Sequence, residues 1–261
     1  MQTIEIEHSG PVATVWLNRP DMRNAFNETS IAEITQAFRD LGAQAGVRVI
    51  VLAARGPAFC AGADLNWMKK MAGYTHEENL ADAAQLADML RTIYACPKPV
   101  VAKVQGDCYA GGMGLVAACD IAVAADSAGF CLSEVKLGLI PATISPYVIK
   151  AMGESAARRY FITAERFTAQ EAQRIGFVHA LAGAADLDAV TSDIVKAIAN
   201  NSPNAVKEAK RLVQDVAGRP LTLELIADTA GRIADIRSSE EGKEGVRSFL
   251  EKRKPDWLQQ P

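Results

Sequence analysis

Apolar and polar positions alternate from Ile4 to Glu7, break at His8-Ser9-Gly10-Pro11, and resume as the β-branched run Val12 to Leu17. That order predicts a β-hairpin. The period then changes. Ile31, Ile34, Phe38 and Leu41 recur at helical spacing behind Asn27, whose side chain is suited to accept a free N–H at a helix start. Val47 to Ala54 is continuously apolar apart from one arginine, as in a strand covered on both faces. Thr75-His-Glu-Glu78 has capping-box spacing and precedes the helical series Leu80, Ala84, Ala87, Leu90 and Ile93. Pro99 to Val104 and Ile121 to Ala125 predict two more covered strands. Strands separated by helices imply an α/β fold with parallel pairing.

Past about residue 150 the pattern predicts helices and little strand. Thr168-Ala-Gln-Glu171 is a second capping box with Gly176 as its stop. Ser202-Pro203 supplies an N-cap followed by proline at the first helical position, and Gly218 ends that helix. Ser238-Ser-Glu-Glu241 opens a final helix through Phe249 and Leu250. The expected organisation is an α/β core over 1–200 and a helical region over 201–261.

Charge narrows the function classes. The chain carries 28 basic and 31 acidic residues, a net −3, which argues against the clustered cations that a nucleic-acid surface needs. The longest stretch without Asp, Glu, Lys or Arg, Leu137 to Ile149, is shorter than the roughly 18 apolar residues of a membrane span and holds two prolines. The first eight residues include Glu5 and Glu7 and lack a signal-peptide pattern. Five cysteines without a CxxC pair and three scattered histidines predict reduced, buried thiols in a cytoplasmic setting and no metal site.

Two glycine-bearing segments follow predicted strands: Pro57-Ala-Phe-Cys-Ala-Gly-Ala-Asp-Leu65 and Gly106-Asp-Cys-Tyr-Ala-Gly-Gly-Met-Gly114. Ligands of α/β sheets bind beyond the carboxyl ends of strands, and small residues let them reach backbone N–H groups. Gly111-Gly112 also opens a predicted helix, whose free N–H groups favour an anion or a developing oxyanion. Taken singly, either segment is better explained by glycines serving tight turns. Gly112-Met-Gly114-Leu-Val-Ala117 has the outline of a dinucleotide fingerprint, but the acid that should end the next strand is misplaced, since residues 126–132 intervene before Glu134. There is no P-loop and no GxSxG elbow. Glu134, within Phe130-Cys-Leu-Ser-Glu-Val135, is either a paired structural carboxylate or a general acid/base with a raised pKa; Asp120 reads as structural.

Asn18-Arg-Pro20, Asn24-Ala25, Gly56 through Phe59-Cys-Ala-Gly-Ala-Asp-Leu65, Pro97-Lys-Pro-Val100, Gly106 through Gly112, Ala118-Cys-Asp120, Glu134, Leu137-Gly-Leu-Ile-Pro141 and Phe249-Leu-Glu-Lys-Arg-Lys254 run in one order along the whole chain. As a set they resemble the enoyl-CoA hydratase/isomerase (crotonase) superfamily, with the stretches around Glu134, Pro141 and Ala156 similar to its bacterial methylglutaconyl-CoA hydratase-like members. The resemblance implies a spiral of ββα units followed by helices that build trimers, often paired into hexamers. It implies an acyl-CoA thioester as substrate and no separate cofactor, coenzyme A being part of that substrate.

By the same resemblance the N–H groups of Ala63 and Gly111 bind the thioester oxygen and Glu134 is the acid/base. Ala25, Ala61, Asp64, Leu65 and Gly114 line the substrate, and Arg23 and Lys254 approach the CoA phosphates. Family hydratases carry two glutamates; the second corresponds to Glu134, the first to Gly114. With one acid, three readings stand. Glu134 both takes and returns protons, another polar group or a substrate carboxylate helps hold water, or the enzyme is a Δ3-Δ2 isomerase that adds no water. The expectation is hydration of a short or branched 2-enoyl-CoA, 3-methylglutaconyl-CoA among them. The isomerase and a weakly catalytic CoA-binding protein are the alternatives.

Overall fold

The chain is described by a computed structural model over residues 1–259; the last two positions of the 201–261 region lie outside the described residues. β1 (Ile4–Ser9) and β2 (Val12–Leu17) form the expected hairpin, with Gly10 at φ 55° in its turn. β3 (Val49–Ala54), β4 (Val100–Val104), β6 (Ile121–Ala125) and β9 (Ala180–Ala182) then add to β2 in parallel. The sheet order is β1-β2-β3-β4-β6-β9.

Period-2 geometry divides the sheet's side chains between two cores. Ile50, Leu52, Val100, Ala102, Val104, Ala122 and Ala124 face the larger one, with Ile34, Phe38 and Leu41 of α1 (Glu28–Ala43) and Leu90 and Ile93 of α3 (His76–Tyr94). Val49, Val51, Val101, Val123 and Ala125 face the other, closed by Leu187 and Val195 of α7 (Leu187–Ala199). All six residues of β3 are therefore buried, as a strand sandwiched on both faces requires.

A second, shorter layer winds beside the first. β5 (Cys108–Tyr109) pairs in parallel with β7 (Gly129–Cys131), which pairs with β8 (Phe167–Thr168). Single parallel bridges, Phe26 to Ala63 and Cys60 to Cys108, continue this layer across the earlier turns of the chain. Each turn thus gives one strand to the main sheet, one extended segment to the second layer, and a helix. This is the crotonase spiral. α2 (Leu65–Met71), α4 (Gly111–Ala118), α5 (Ser145–Thr163) and α6 (Ala169–Arg174) complete the core region, and α8 (Pro203–Val216), α9 (Leu223–Ser238) and α10 (Glu240–Leu250) follow α7.

The local signals act as chemistry dictates. Asn27 accepts the Ser30 N–H, Thr75 and Glu78 form the reciprocal capping box, and Thr168 and Ser202 cap α6 and α8. Three expectations shift. The final helix is capped by Ser239 rather than opening at Ser238, because α9 runs through that residue. Leu80 and Ala84 are exposed, since only the C-terminal half of α3 meets the core, through Met89, Leu90 and Ile93. Strand also continues past residue 150, in β8 and β9, which are too short to carry a periodic signal. All five cysteines are free thiols, and among the described residues no helix is long and apolar enough to cross a membrane.

Asp120 accepts the Val100 N–H and pairs with Lys210 of α8 at 2.7 Å, tying the C-terminal helices to the sheet. Burial raises its carboxyl above the ordinary value although the Lys210 charge opposes the shift.

Where the first and second layers meet, Gly106 touches the 57–58 loop: a Cβ there would stand 2.0 Å from the Pro57 carbonyl oxygen. The neighbour is backbone and has no rotamer to escape through. Gly106→Ala is expected to lower stability by about 1–3 kcal/mol, the usual range for overpacking, as read by denaturant unfolding.

Candidate active site

The site is built where two adjacent turns of the spiral touch. Gly62, at φ 94°, packs on the Ala110–Gly111 turn. A Cβ at Gly62 would stand 3.0 Å from the Ala110 Cβ and 3.8 Å from the Gly111 nitrogen. The next residue, Ala63, pairs with Phe26 through the N–H groups of Phe26 and Asp64, a pattern that leaves its own N–H out. Among the described residues neither the Ala63 nor the Gly111 N–H donates to any protein acceptor.

Cys60 fixes the spacing of the two loops. Its N–H donates to the Asp107 carbonyl at 3.2 Å and its own carbonyl accepts from Tyr109 at 2.9 Å. Its thiol donates to the Asn24 carbonyl and accepts from the Gly62 N–H at 3.4 Å. Burial pushes that thiol up to about 12, so it stays protonated and able to donate at neutral pH. Gly112 lets helix α4 approach this close, because a Cβ there would meet the Cys60 Cβ at 2.8 Å. Gly111 lies under the Phe26 ring, whose Cζ would be 2.4 Å from an added Cβ. Ala110, just before α4, holds φ 47° and ψ −123°, a conformation that an L-residue adopts only under constraint. The helix dipole and the first free N–H of α4 then favour negative charge at this turn.

Glu134 lies on the segment after β7, whose backbone is tied to the Ala110 turn. The Ala110 N–H donates to the Cys131 carbonyl at 2.8 Å, and Glu134 starts the 3-10 turn that follows that strand. Gly138, at φ 71°, closes the turn, and the Leu139 N–H returns to the Glu134 carbonyl at 3.1 Å. The carboxyl Oε2 is buried without a hydrogen-bond partner, and Glu134 forms no ion pair among the described residues. Burial raises its pKa above the ordinary value; its own backbone N–H opposes weakly. Leu137, Leu139 and Ile140 stand exposed beside it.

The other expected residues divide. Arg23 is exposed, its carbonyl accepts the Ala61 N–H at 3.0 Å, and its guanidinium has no partner among the described residues, so both lie at the rim of the Ala63 loop. Ala25 is buried and its carbonyl accepts from Arg19. Leu65 is exposed at the first turn of α2. Asp64 serves the fold: it caps α2 through Asn66 and Trp67 and pairs with Arg19 at 2.7 Å. Burial pushes its carboxyl up, but the Arg19 hydrogen bond and the two N–H donors outweigh burial and hold it below the usual range. Gly114 is buried against Ile144 and Leu90.

Lys254 is not brought to the site within one chain. It lies beside the segment where the Arg48 guanidinium binds the Trp257 carbonyl, and the Arg48 N–H binds Pro11. That is the N-terminal end of the parallel strands, whereas Ala63 and Gly111 follow their C-terminal ends. The fingerprint-like Gly112 to Ala117 lies wholly inside α4, its glycines spent on contacts with Cys60 and Ile144. The sequence reading assigned no role to Asn24, Phe26, Cys60 or Ile144. Asn24 binds the Arg55 and Ala58 carbonyls at 2.8 Å each, and its left-handed φ of 54° was a signal for asparagine in a built turn.

The spiral is that of crotonase-type enzymes. The chain belongs to the enoyl-CoA hydratase/isomerase family, whose profile matches residues 7–260. An enoyl-CoA hydratase from Shewanella pealeana is 44% identical with a TM-score of 0.95, covering 98% of this chain and 96% of that one. One from Mycobacterium smegmatis is 33% identical with a TM-score of 0.92, covering 98% and 99%. An enoyl-CoA hydratase of Alternaria alternata is 35% identical over 215 residues, 80% of this chain and 69% of that one.

Asp64→Ala leaves the largely buried Arg19 without its carboxylate and with only the Ala25 carbonyl as acceptor, and is expected to cost about 3–5 kcal/mol. Because the Asp64 pKa is depressed on folding, its contribution is present above the ordinary aspartate pKa of 3.8 and lost as pH falls below it. Unfolding curves of the native and variant proteins should therefore converge in acid.

Proposed function

We propose that the protein is a hydratase of short or branched 2-enoyl-CoA thioesters, with 3-methylglutaconyl-CoA the particular candidate. The observation that carries this reading is the buried Glu134 Oε2, without a partner among the described residues, on a segment tied to the Ala110–Gly111 turn, where the Gly111 N–H, like that of Ala63, is unpaired. The resemblance to family members adds the thioester.

The Glu134 carboxylate takes a proton from water as the water oxygen bonds to C3. The C2–C3 π electrons move toward the thioester carbonyl, whose oxygen becomes an enolate oxygen between the Ala63 and Gly111 N–H groups. Donors already in place where charge develops need no reorganisation, and each is typically worth about 2.7–4 kcal/mol of barrier. The enolate then collapses, and C2 takes the proton from the Glu134 carboxylic acid, which restores the carboxylate. One group performs both transfers, and its raised pKa suits that double task better than an exposed glutamate would. Arg23, exposed and without a partner among the described residues, offers a cation for a CoA phosphate.

A specific observation favours a second reading. Position 114 is glycine and, among the described residues, no other carboxyl contributes to the shift of Glu134, so a single-acid shuttle of a proton from C4 to C2 is open to a Δ3-Δ2 isomerase. Turnover of 2-enoyl- and 3-enoyl-CoA in oxygen-18 water separates the two. Hydration puts the label in a 3-hydroxyacyl-CoA, and isomerisation gives unlabelled 2-enoyl-CoA.

Glu134→Gln is expected to lower kcat by about 10²–10⁴-fold, the general acid–base contribution. It should also stabilise the fold at neutral pH. A carboxyl whose pKa is raised by burial contributes most stability below its unfolded pKa and loses it as pH rises through the folded value. The advantage of the variant should thus shrink as pH falls toward the ordinary glutamate value of 4.5, a trend that melting curves across pH would read.

A further inference from the structure

Phe26 meets both amide-bearing loops of the site, one through its backbone and the other through its ring. Its N–H donates to the Gly62 carbonyl at 2.9 Å, and its carbonyl accepts the Asp64 N–H at 3.0 Å. The Gly62 carbonyl and the Ala63 N–H belong to one planar trans peptide, so they point in opposite directions. Holding that carbonyl therefore aims the free Ala63 N–H away from the Phe26 backbone. The ring reaches the other loop. A Cβ added at Gly111 would stand 2.4 Å from Phe26 Cζ and 2.9 Å from Phe26 Cε1, so the tip of the ring occupies the place of the missing side chain.

Phe26 has little freedom to move. It is 3% exposed. Two residues earlier Asn24 is fastened to the Arg55 and Ala58 carbonyls, and the next residue, Asn27, caps α1. The ring packs on Trp67 with centroids 6.0 Å apart, and the Trp67 indole N–H donates to Asp82 of α3 at 3.0 Å. Gly111 is the opposite case. It is a glycine at the first position of α4, its N–H has no protein acceptor among the described residues, and the preceding Ala110 holds a conformation that needs support from its surroundings. A rigid ring against its α-carbon limits the backbone rotation that would turn its N–H.

We infer that Phe26 is a positioning residue for the two amides: its backbone aims the Ala63 N–H and its ring holds Gly111, so one residue fixes both donors relative to each other. The inference rests on the acyl-CoA reading above, in which a thioester oxygen lies between those donors.

The test uses the full-length protein with Phe26→Leu, Phe26→Met and, as a control, Phe38→Leu, a buried phenylalanine on the core face of α1. Isotope-edited infrared spectra of bound butyryl-CoA, labelled with carbon-13 at the thioester carbonyl, report the donors without turnover. In the native protein the carbonyl stretch should fall below its value in solution. Both Phe26 variants should lose about half of that shift or more, since the Gly111 donor is freed while the Ala63 donor stays aimed. Phe38→Leu should lower the melting temperature and keep the shift. With a 2-enoyl-CoA, Phe26→Leu should lower kcat about 10–10²-fold, the scale of a misplaced group, and leave KM within about threefold, as for an interaction made in the transition state. Should Phe26→Leu not fold, Phe26→Met carries the comparison, its volume being close to that of phenylalanine. A full shift in the Phe26 variants, or an equal loss in Phe38→Leu, overturns the inference alone. No shift in the native protein, or no binding of butyryl-CoA, removes the acyl-CoA reading and the inference with it. A shift that Phe26 controls in an enzyme that hydrates no 2-enoyl-CoA leaves the inference standing and removes the hydratase reading.

Discussion

The direct contact of Gly62 with the Ala110–Gly111 turn is the constraint on which the site depends. Two stretches of backbone meet with no side chain between them, which glycine permits and few residues tolerate. The parallel sheet makes the meeting inevitable. β3 and β4 deliver both chains to the same edge, and the second layer then pulls them together through Cys60 and Cys108. The result is two N–H groups without partners, each normally a liability of about 1–3 kcal/mol when buried. A fold keeps such groups where an external oxygen can satisfy them. Stability is ceded at the site and recovered around it by Asn24, which binds backbone on three sides, and by the Arg19–Asp64 pair.

What the sequence revealed follows from how local each signal is. The hairpin, α1 with its Asn27 cap, β3, β4, β6 and the caps at Thr75, Thr168 and Ser202 were legible because a few adjacent residues determine them. The strands of two or three residues, β5, β7, β8 and β9, were not, because their order comes from neighbours distant in the chain. The same division holds in the site. The segments 57–65 and 106–114 stood out as small residues after covered strands and Glu134 as a carboxylate among apolar residues, whereas Ala63 and Gly111 were singled out within them by the family resemblance alone. Cys60, Phe26 and Ile144 look like ordinary core residues until the spiral sets them against Gly62, Gly111 and Gly114. Asp64 shows the reverse case. The resemblance placed its loop along the substrate, and its carboxylate is engaged by a helix cap and an arginine.

Three partly or fully buried carboxyls lie in or near this region, and their surroundings separate their chemistry. Asp64 is held ionised, because Arg19 and two N–H donors favour the charged form over the opposing effect of burial. Asp120 is raised by burial but carries a lysine 2.7 Å away and a backbone donor, so its proton exchange would break the link between α8 and the sheet. Glu134 is raised by burial with no cation to offset it and no structural bond on Oε2 to lose. Of the three, only Glu134 can gain and release a proton without disturbing the fold.

That asymmetry bears on how one carboxyl would serve the proposed hydration, with its two proton transfers. A second acid near Glu134 would add like charge, raising the cost of ionising either group. The apolar Ile144 beside Gly114 adds none, so Glu134 must bear only its own desolvation. In the charged form its unpartnered oxygen seeks a donor, and water supplies one. After giving up a proton the water-derived oxygen is bonded to carbon, and the carboxyl, now neutral, suits its buried setting. In that proposal the enolate charge has meanwhile moved to the main-chain amides, whose orientation does not change with protonation. Charge thus passes from a place that disfavours it to one that receives it, and the return of the proton to C2 reverses both moves.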